Sequence, residues 1–501
     1  MSETLPKGWI TVQFTDILGI NGGSQPPKKD FIYEPRKGYV RLLQIRDFGE
    51  KPFPTYVPKS SKLRLVNKDE ILLARYGGTS SDDSLGRVCA GMEGAYNVAL
   101  VKLIFFKELT PTSFIKHLFG AHFFLDVISK NSRSCQTGFN KDDLNDVSFP
   151  LSPLNEQKRI VAKLDQIMPR IDAVKARLDK IPSIIKRFRQ SVLTAAVTGK
   201  LTEKWREEHS HEECAEALIE RIKKFRIENT ENERERNAVK KLYEEGEKRL
   251  RKKESPYELP ESWSFCEINS IGTVNNGSTP SRKISHYWNG NINWISSGEV
   301  NNSSIRQTRE TITQTGFDNS SVKLLPIGTV LIAMIGEGKT RGQTAILEIE
   351  SSCNQNVAAV VINHGLVISK YLYFWFFMQY EHNRSYGSGS GPKALNCQRV
   401  REINFILPPL EEQKEIVRQV DKLFAFADKM ESHYKKAKAE VDKLSQSVLA
   451  KAFRGELVIT EAELAEKEGR NFESAEKLLG RIMEEKKRLY ALSKSRNRKI
   501  K

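Results

Sequence analysis

The run Ala333-Met334-Ile335-Gly336-Glu337-Gly338-Lys339-Thr340 has the order of a relaxed phosphate-binding loop, in which backbone amides cradle phosphates, lysine reaches the outer ones and the hydroxyl meets magnesium. Such a loop has to open a helix, because the N-terminal amides and dipole hold the anion. Here Arg341-Gly342-Gln343-Thr344-Ala345-Ile346-Leu347 follows, a β-type sequence. A hairpin loop offering Lys339 and Arg341 to phosphate or bases is the better reading. His209, His211, Glu212, Glu213 and Cys214 are metal-ligating types, but their densely charged context reads as solvated surface. An adenine methyltransferase needs an Asn/Asp-Pro-Pro-aromatic segment and a glycine-rich cofactor turn. The Pro-Pro pairs, Gln25-Pro26-Pro27-Lys28 and Leu407-Pro408-Pro409-Leu410, do not fit. No catalytic set, metal site or cofactor is expected in this chain.

Reading a duplex calls for other groups: Arg or Lys for guanine, Asn or Gln for adenine, and further polar side chains for phosphate. Lys and Arg outnumber Asp and Glu by 80 to 63 among 501 residues, a formal charge of +17 that favours a polyanionic partner. Early polar loop residues that fit are Lys28, Arg41, Gln44, Arg46, Arg75, Tyr76, Arg87 and Arg133. Later ones are Arg282, Lys283, Asn293, Ser296, Lys339, Arg341, Gln343 and Lys393. The expected partner is double-stranded DNA. Trp9 and Trp263 are expected only to pack.

What must position these residues is written twice. Phe149-Pro150-Leu151-Ser152-Pro153-Leu154-Asn155-Glu156-Gln157-Lys158 returns as Phe405-Ile406-Leu407-Pro408-Pro409-Leu410-Glu411-Glu412-Gln413-Lys414, a shift of 256 positions (149 to 405). The shift holds without a gap to Gln190-Ser191-Val192-Leu193, which matches Gln446-Ser447-Val448-Leu449. Upstream, Leu5-Pro6-Lys7-Gly8-Trp9 pairs with Leu259-Pro260-Glu261-Ser262-Trp263, and Gly23-Ser24 with Gly277-Ser278, at a shift of 254 (9 to 263). One unit used twice predicts approximate two-fold character. It also disarms the phosphate-loop look-alike, since the first copy has Arg75-Tyr76-Gly77-Gly78-Thr79 there, without lysine.

β-branched and aromatic residues broken by Gly, Asn, Ser and Pro predict short strands and loops in residues 1–152 and 256–407, with helices in Phe114 to Ile128 and Ser369 to Tyr380. The expected fold class is α+β: two pseudo-repeated α+β globules separated by two long helices, in 153–201 and 408–457, that pair as an antiparallel coiled coil. Ile160, Leu164, Ile167, Ile171, Val174, Leu178, Ile181, Ile185, Phe188 and Val192 alternate at intervals of four and three. Ile416, Val420, Leu423, Ala427, Met430, Tyr434, Ala437, Val441, Leu444 and Val448 repeat the pattern. A 3.6-residue helix drifts off such a seam unless it supercoils about a partner. From Ile160 to Val192 the seam spans about 48 Å at about 1.5 Å per residue, more than the roughly 34 Å of one duplex turn. Pro169 and Pro182 predict a kink or break in the first helix. Residues 202–255 read as a solvated, charged helical connector and 458–501 as a charged C-terminal tail in which Ala475 to Ile482 echoes Ala215 to Ile222 and Lys486 to Lys501 is a basic, disordered end.

The longest apolar stretch, Tyr371 to Met378, is too short to span a bilayer, and no apolar signal core opens the N-terminus. A soluble, cytoplasmic protein without a membrane partner is expected. Six cysteines without a Cys-x-x-Cys pair fit a reducing compartment, with no disulfide and no zinc finger.

A globule, a long helix opening Pro-Leu-x-Glu-Gln-Lys and closing Gln-Ser-Val-Leu-x-x-Ala-x-x-Gly, then both again, closely resembles the specificity subunit of type I restriction-modification systems over nearly the whole chain. The resemblance implies a non-catalytic chain with two target-recognition domains, each reading one half of a bipartite asymmetric DNA sequence. It implies helices that set the spacing and dock two methyltransferase subunits, with restriction and translocase subunits as further partners when present. S-adenosylmethionine, ATP and magnesium would belong to those partners. Two readings compete with it: a stand-alone adenine methyltransferase or NTPase, and a coiled-coil scaffold without sequence preference.

Overall fold

The computed structural model describes residues 5–49, 52–76, 86–121, 139, 142–145, 147–209, 213–250, 258–336, 338–385 and 395–499. Two compact units emerge, one of residues 1–179 with 435–501 and one of residues 180–434. Among the described residues no helix is long and apolar enough to cross a membrane.

In the first unit, strands Ile10–Gln13 and Ser148–Leu151 pair antiparallel with Ile10 opposite Leu151, so the globule's entry and exit lie side by side. One sheet orders Gly19–Gly22, Leu100–Ile104, Ile71–Ala74 and Val88–Ala90; a second orders Tyr56–Pro58, Tyr39–Leu43, Gly94–Tyr96 and Leu65–Val66. Ile71-Leu72-Leu73-Ala74 is buried throughout because both faces of the strand are covered, Ile71 and Leu73 joining the core around Trp9, Leu72 and Ala74 the one around Leu43 and Tyr96. Helix Thr112–Phe119 adds Phe114, Ile115 and Leu118 to a core shared with Trp9 and Phe149.

The second unit repeats the scheme, with Ser264–Glu267 antiparallel to Asn404–Leu407. Its larger sheet orders Thr273–Asn276, Val357–Val361, Val330–Ala333, Thr344–Leu347 and Ser303–Ile305; its smaller one orders Glu310–Ile312, Trp288–Ile295 and Ser352–Cys353. Helix Ser369–Met378 buries Tyr371, Leu372, Phe374, Trp375 and Phe376. The repeated glycines Gly23 and Gly277 have a steric cause: a Cβ would stand 2.0 Å from the Asn97 carbonyl oxygen and 1.8 Å from that of Cys353.

The long helices are Leu154–Leu178, Ile181–Val197 and the 45-residue Leu410–Arg454. Pro169 lies inside a continuous helix, so the expected break there is absent. The interruption falls instead at Asp179 and Lys180, and Pro182 sits in the first turn of the next helix, where a missing N–H loses no partner. The heptad seam is unevenly covered along its length. Ile160 and Leu164 join Leu449, Ala452 and Phe453 in the first globule's core, while Val192, Leu193, Ile416 and Val420 join the second's, with Leu423 packed against it. Ile171 and Ile185 are buried and Ile167, Leu178, Met430 and Val441 half-buried, but Val174 and Leu444 are 42% and 52% exposed. The seam residues are best covered where a globule adds its own surface.

Within the first unit Lys175 meets Asp442 at 2.9 Å and Asp179 meets Lys438 at 2.8 Å, four residues forward on one helix for four back on the other. Within the second, the Phe188 and Phe426 rings lie 6.3 Å apart and Arg189 pairs with Asp428 and Glu431.

Neither the connector nor the C-terminal segment is merely solvated. Helix Ala215–Glu228 buries Ala215, Leu218 and Ile222, and in helix Glu233–Leu250 the Tyr243 hydroxyl donates to the Ser270 carbonyl at 2.6 Å. Helix Ala475–Lys499 likewise buries Ala475, Leu478 and Ile482 in the first globule's core. The Ala215 N–H donates to the Ser262 carbonyl at 2.9 Å and the Ala475 N–H to the Gly8 carbonyl at 2.8 Å, equivalent positions of the repeat. A single stripe at i, i+3 and i+7 suffices for packing although the surrounding composition is charged.

Candidate nucleic-acid interface

Each globule is fastened to the start of its long helix by a buried carboxylate. Trp9 Nε1 donates to Glu156 Oε1 at 3.1 Å and the Glu461 N–H to Glu156 Oε2 at 2.8 Å, while Arg159 pairs with Glu461 at 2.6 Å. In the second unit Trp263 Nε1 donates to Glu412 Oε2 at 2.7 Å, and Thr202 and Arg206 donate to Oε1 at 2.7 and 3.1 Å. Gln157 and Gln413 donate to the carbonyls of Ser152 and Pro408 at 2.8 and 2.9 Å, closing the strand-to-helix corner. The tryptophans therefore do more than pack. Burial pushes the Glu156 carboxyl above its ordinary range, against the hydrogen bonds from Glu461 and Trp9. Burial would raise Glu461 too, but Arg159 and Arg470 hold it below.

On this base both globules build the same turn. Strand Tyr39–Leu43 runs into a 3-10 turn, Ile45–Phe48, in which the Gln44 N–H donates to Asp47 Oδ2 and Arg41 to Asp47 Oδ1, both at 2.8 Å. Strand Trp288–Ile295 runs into the 3-10 turn Ser297–Glu299, in which the Ser296 N–H and hydroxyl donate to Glu299 Oε2 at 2.9 and 3.0 Å. The side chains differ. Gln44 Nε2 and Arg46 Nη2 converge on the Thr55 hydroxyl at 3.2 and 2.9 Å, Arg46 lies 5.1 Å over Phe53, and Arg87 approaches Gly49. Arg41, Gln44, Arg46 and Arg87 are thus gathered at one place. In the second globule Asn293 donates to the Glu350 carbonyl at 2.9 Å and accepts from Thr308 at 3.3 Å. The Arg282 guanidinium lies 3.8 Å over Trp288 and 5.2 Å over Trp294, and pairs with Glu310 at 2.9 Å through Nη2. That bond holds the Glu310 carboxyl below its usual range.

The remaining candidates are dispersed. Arg75 Nε donates to the Phe139 carbonyl at 2.7 Å, with its guanidinium 5.5 Å over Tyr76. Lys28 and Lys283 are exposed. Strands Val330–Ala333 and Thr344–Leu347 pair antiparallel, so the glycine-lysine run lies in a hairpin loop followed by a strand, with Lys339 exposed. Gln343 is tied through its backbone to Ala333 and Thr340. Arg341 is only 8% exposed and donates to the Arg384 carbonyl at 3.0 Å, which corrects its place among solvent-facing readers: it pins the hairpin. Arg133 and Lys393 lie outside the described residues, as do His211 and Glu212 of the metal-like cluster. Sequence reading missed Tyr33 and Phe53, exposed rings 5.1 Å apart. Their signal was available as aromatics in proline-bearing loops, Tyr33-Glu34-Pro35 and Pro52-Phe53-Pro54, between basic residues.

A family model described as the type I restriction modification DNA specificity domain matches twice, at residues 6–183 and 260–440. The chain belongs to that specificity family. Each match opens beside the repeated tryptophan and runs into a long helix, so both copies of the specificity domain contain one Trp–Glu fastening. The EcoKI type I restriction enzyme specificity subunit of Escherichia coli (strain K12) is 27% identical over 481 residues, 90% of each chain. The EcoBI specificity subunit of Escherichia coli is 28% identical over 474 residues, 91% of this chain and 87% of that one. In fold, this specificity-family chain is similar to one solved for the complex assembly and conformational transition of the type I R-M system, with a TM-score of 0.63 and 17% identity over 91% of this chain and 100% of the other.

Proposed function

We propose that this chain is the sequence-specific DNA-binding specificity subunit of a type I restriction-modification complex, acting in the cytoplasm. Each globule reads one half of a bipartite asymmetric site, one from the turn at Gln44 and one from the turn at Ser296. The observation that carries this reading is that doubled, carboxylate-capped turn, since two unlike half-sites call for one framework with two sets of donors. The long helices pair as an antiparallel coiled coil, a reading supported by the opposed Lys175–Asp442 and Asp179–Lys438 pairs. They set the gap between half-sites and dock two methyltransferase subunits, for which exposed Val174 and Leu444 supply apolar surface. Restriction and translocase subunits join when present. S-adenosylmethionine, ATP and magnesium belong to these partners, and this chain performs no catalysis itself. Against a self-sufficient NTPase stands the hairpin setting of Lys339.

The test is to coexpress the chain with its methyltransferase partner and select bound duplexes from a random pool. Two fixed blocks of bases around a constant gap are expected; a single block, or none, overturns the proposal. Exchanging residues 1–152 for those of a relative should change one block and spare the other.

A further inference from the structure

The first globule carries two exposed aromatic rings that hydrogen-bonded reading of bases does not use. Tyr33 and Phe53 are 58% and 49% exposed, with centroids 5.1 Å apart and ring planes at 51°. They are held from below. Ile32, beside Tyr33, exchanges backbone hydrogen bonds with Tyr56 at 3.0 and 2.8 Å. Phe53 lies under the Arg46 guanidinium, which is itself bonded to the buried Thr55 hydroxyl. Two rings fixed side by side in water forgo the stabilisation that burial would give them, which marks an interaction surface. The second globule handles its ring pair differently: Trp288 and Trp294 lie 5.1 Å apart at 88°, Trp294 is buried, and Arg282 covers them.

Charge selects the occupant. Between Lys28 and Gly49 the chain has six Lys or Arg against three Asp or Glu, and one of those acids, Asp47, is buried in the turn. The segment that carries Tyr33 is thus basic on balance, and Phe53 stands against Arg46, which shares the Thr55 hydroxyl with Gln44, a setting suited to phosphate-flanked bases.

We infer that Tyr33 and Phe53 form a wedge that enters the duplex at one base-pair step of the half-site read by the first globule. This rests on the DNA-reading function proposed above. Rings at 51° cannot sandwich a flat extruded base, which needs nearly parallel faces, but they can part a step. Parting costs least at pyrimidine–purine steps, so the wedge selects deformability at a position where no hydrogen bond discriminates.

The experiment uses the full chain with its methyltransferase partner and duplexes carrying 2-aminopurine at successive positions of both half-sites. Wild-type protein should brighten one position in the first half-site on binding. Tyr33→Ala and Phe53→Ala should abolish that signal, weaken binding about tenfold and relax the preference for a flexible step. Phe53→Leu, which keeps apolar bulk, should retain part of it. Selection at the second half-site should be unchanged in every variant, which also reports an intact chain. If wild-type protein selects no half-site, the DNA-reading function falls and the wedge with it. If half-sites are selected but no position brightens, or brightening survives both alanine variants, the wedge alone falls. Loss of methyltransferase association with brightening intact would assign the rings to a protein contact and overturn the inference.

Discussion

The turn at Gln44 and the turn at Ser296 share a backbone and a capping carboxylate, yet they leave different donors at the surface. In the first globule a glutamine and an arginine meet on one threonine hydroxyl and stay beside the turn. In the second the serine hydroxyl is engaged with its own cap, and Arg282 is paired with Glu310. Specificity can thus change without rebuilding the framework: the repeated carboxylate holds the turn, and the residues around it decide which donors remain. The two arginines also differ in what holds them: Arg46 is exposed and bonded to a neutral hydroxyl, whereas Arg282 is engaged by a carboxylate.

Breaking the shared framework should produce the largest effects. Glu412→Ala strips Trp263, Thr202 and Arg206 of a buried acceptor and should destabilise the second unit by about 4 kcal/mol. Glu156→Ala, which leaves an indole and an amide unpaired, should cost the first unit about 2 kcal/mol. Denaturant unfolding checks both, and equal losses would erase the distinction between the fastenings. Gly23→Ala and Gly277→Ala should each cost about 3 kcal/mol, alike in both copies because the close approach to a carbonyl is alike. Unperturbed unfolding midpoints would remove the steric reading.

Substitutions that touch only the donors should be milder and one-sided. Gln44→Ala or Arg46→Ala should lose about 2 kcal/mol of discrimination at a base of the first block, leaving the second intact in a bound-duplex selection. Ser296→Ala should mainly loosen its own turn, by about 1 kcal/mol. The smallest effect concerns acidity. With its pKa raised by burial above the ordinary carboxyl value of 4.5, folded Glu156 binds a proton more readily than the unfolded chain does. That contribution is full below 4.5 and is lost as pH rises through the folded pKa. Relative to Glu156→Gln, wild-type protein should gain stability as pH falls from neutral toward 4.5, by denaturant titration. A constant difference would show that burial does not govern this carboxyl.

Legibility in the sequence followed periodicity. Helix spacing, strand composition and the doubled block are local signals, and they place the elements and the site's neighbourhood. The role of Glu156 was hidden although it stood in the signature, because its partners Trp9 and Glu461 lie 147 and 305 positions away. Burial of Leu478 and Ile482 was masked by the charged residues around them, Glu476, Lys477, Arg481, Glu484 and Glu485. Arg341 looked solvent-facing beside a glycine, and its burial depends on helix Tyr380–Ser385, whose approach no local pattern announces.

The two helical covers differ in when they are made. The stretch Ala215–Leu250 leaves the ribosome before the second globule and is waiting for it. For the first globule the order is reversed: Ala475 follows Leu151 by 324 residues (475 minus 151), roughly 16 to 65 s of synthesis at about 5 to 20 residues per second. During that interval the core that Leu478 and Ile482 will close stays uncovered, an exposure that the second globule, whose cover precedes it in the chain, does not share.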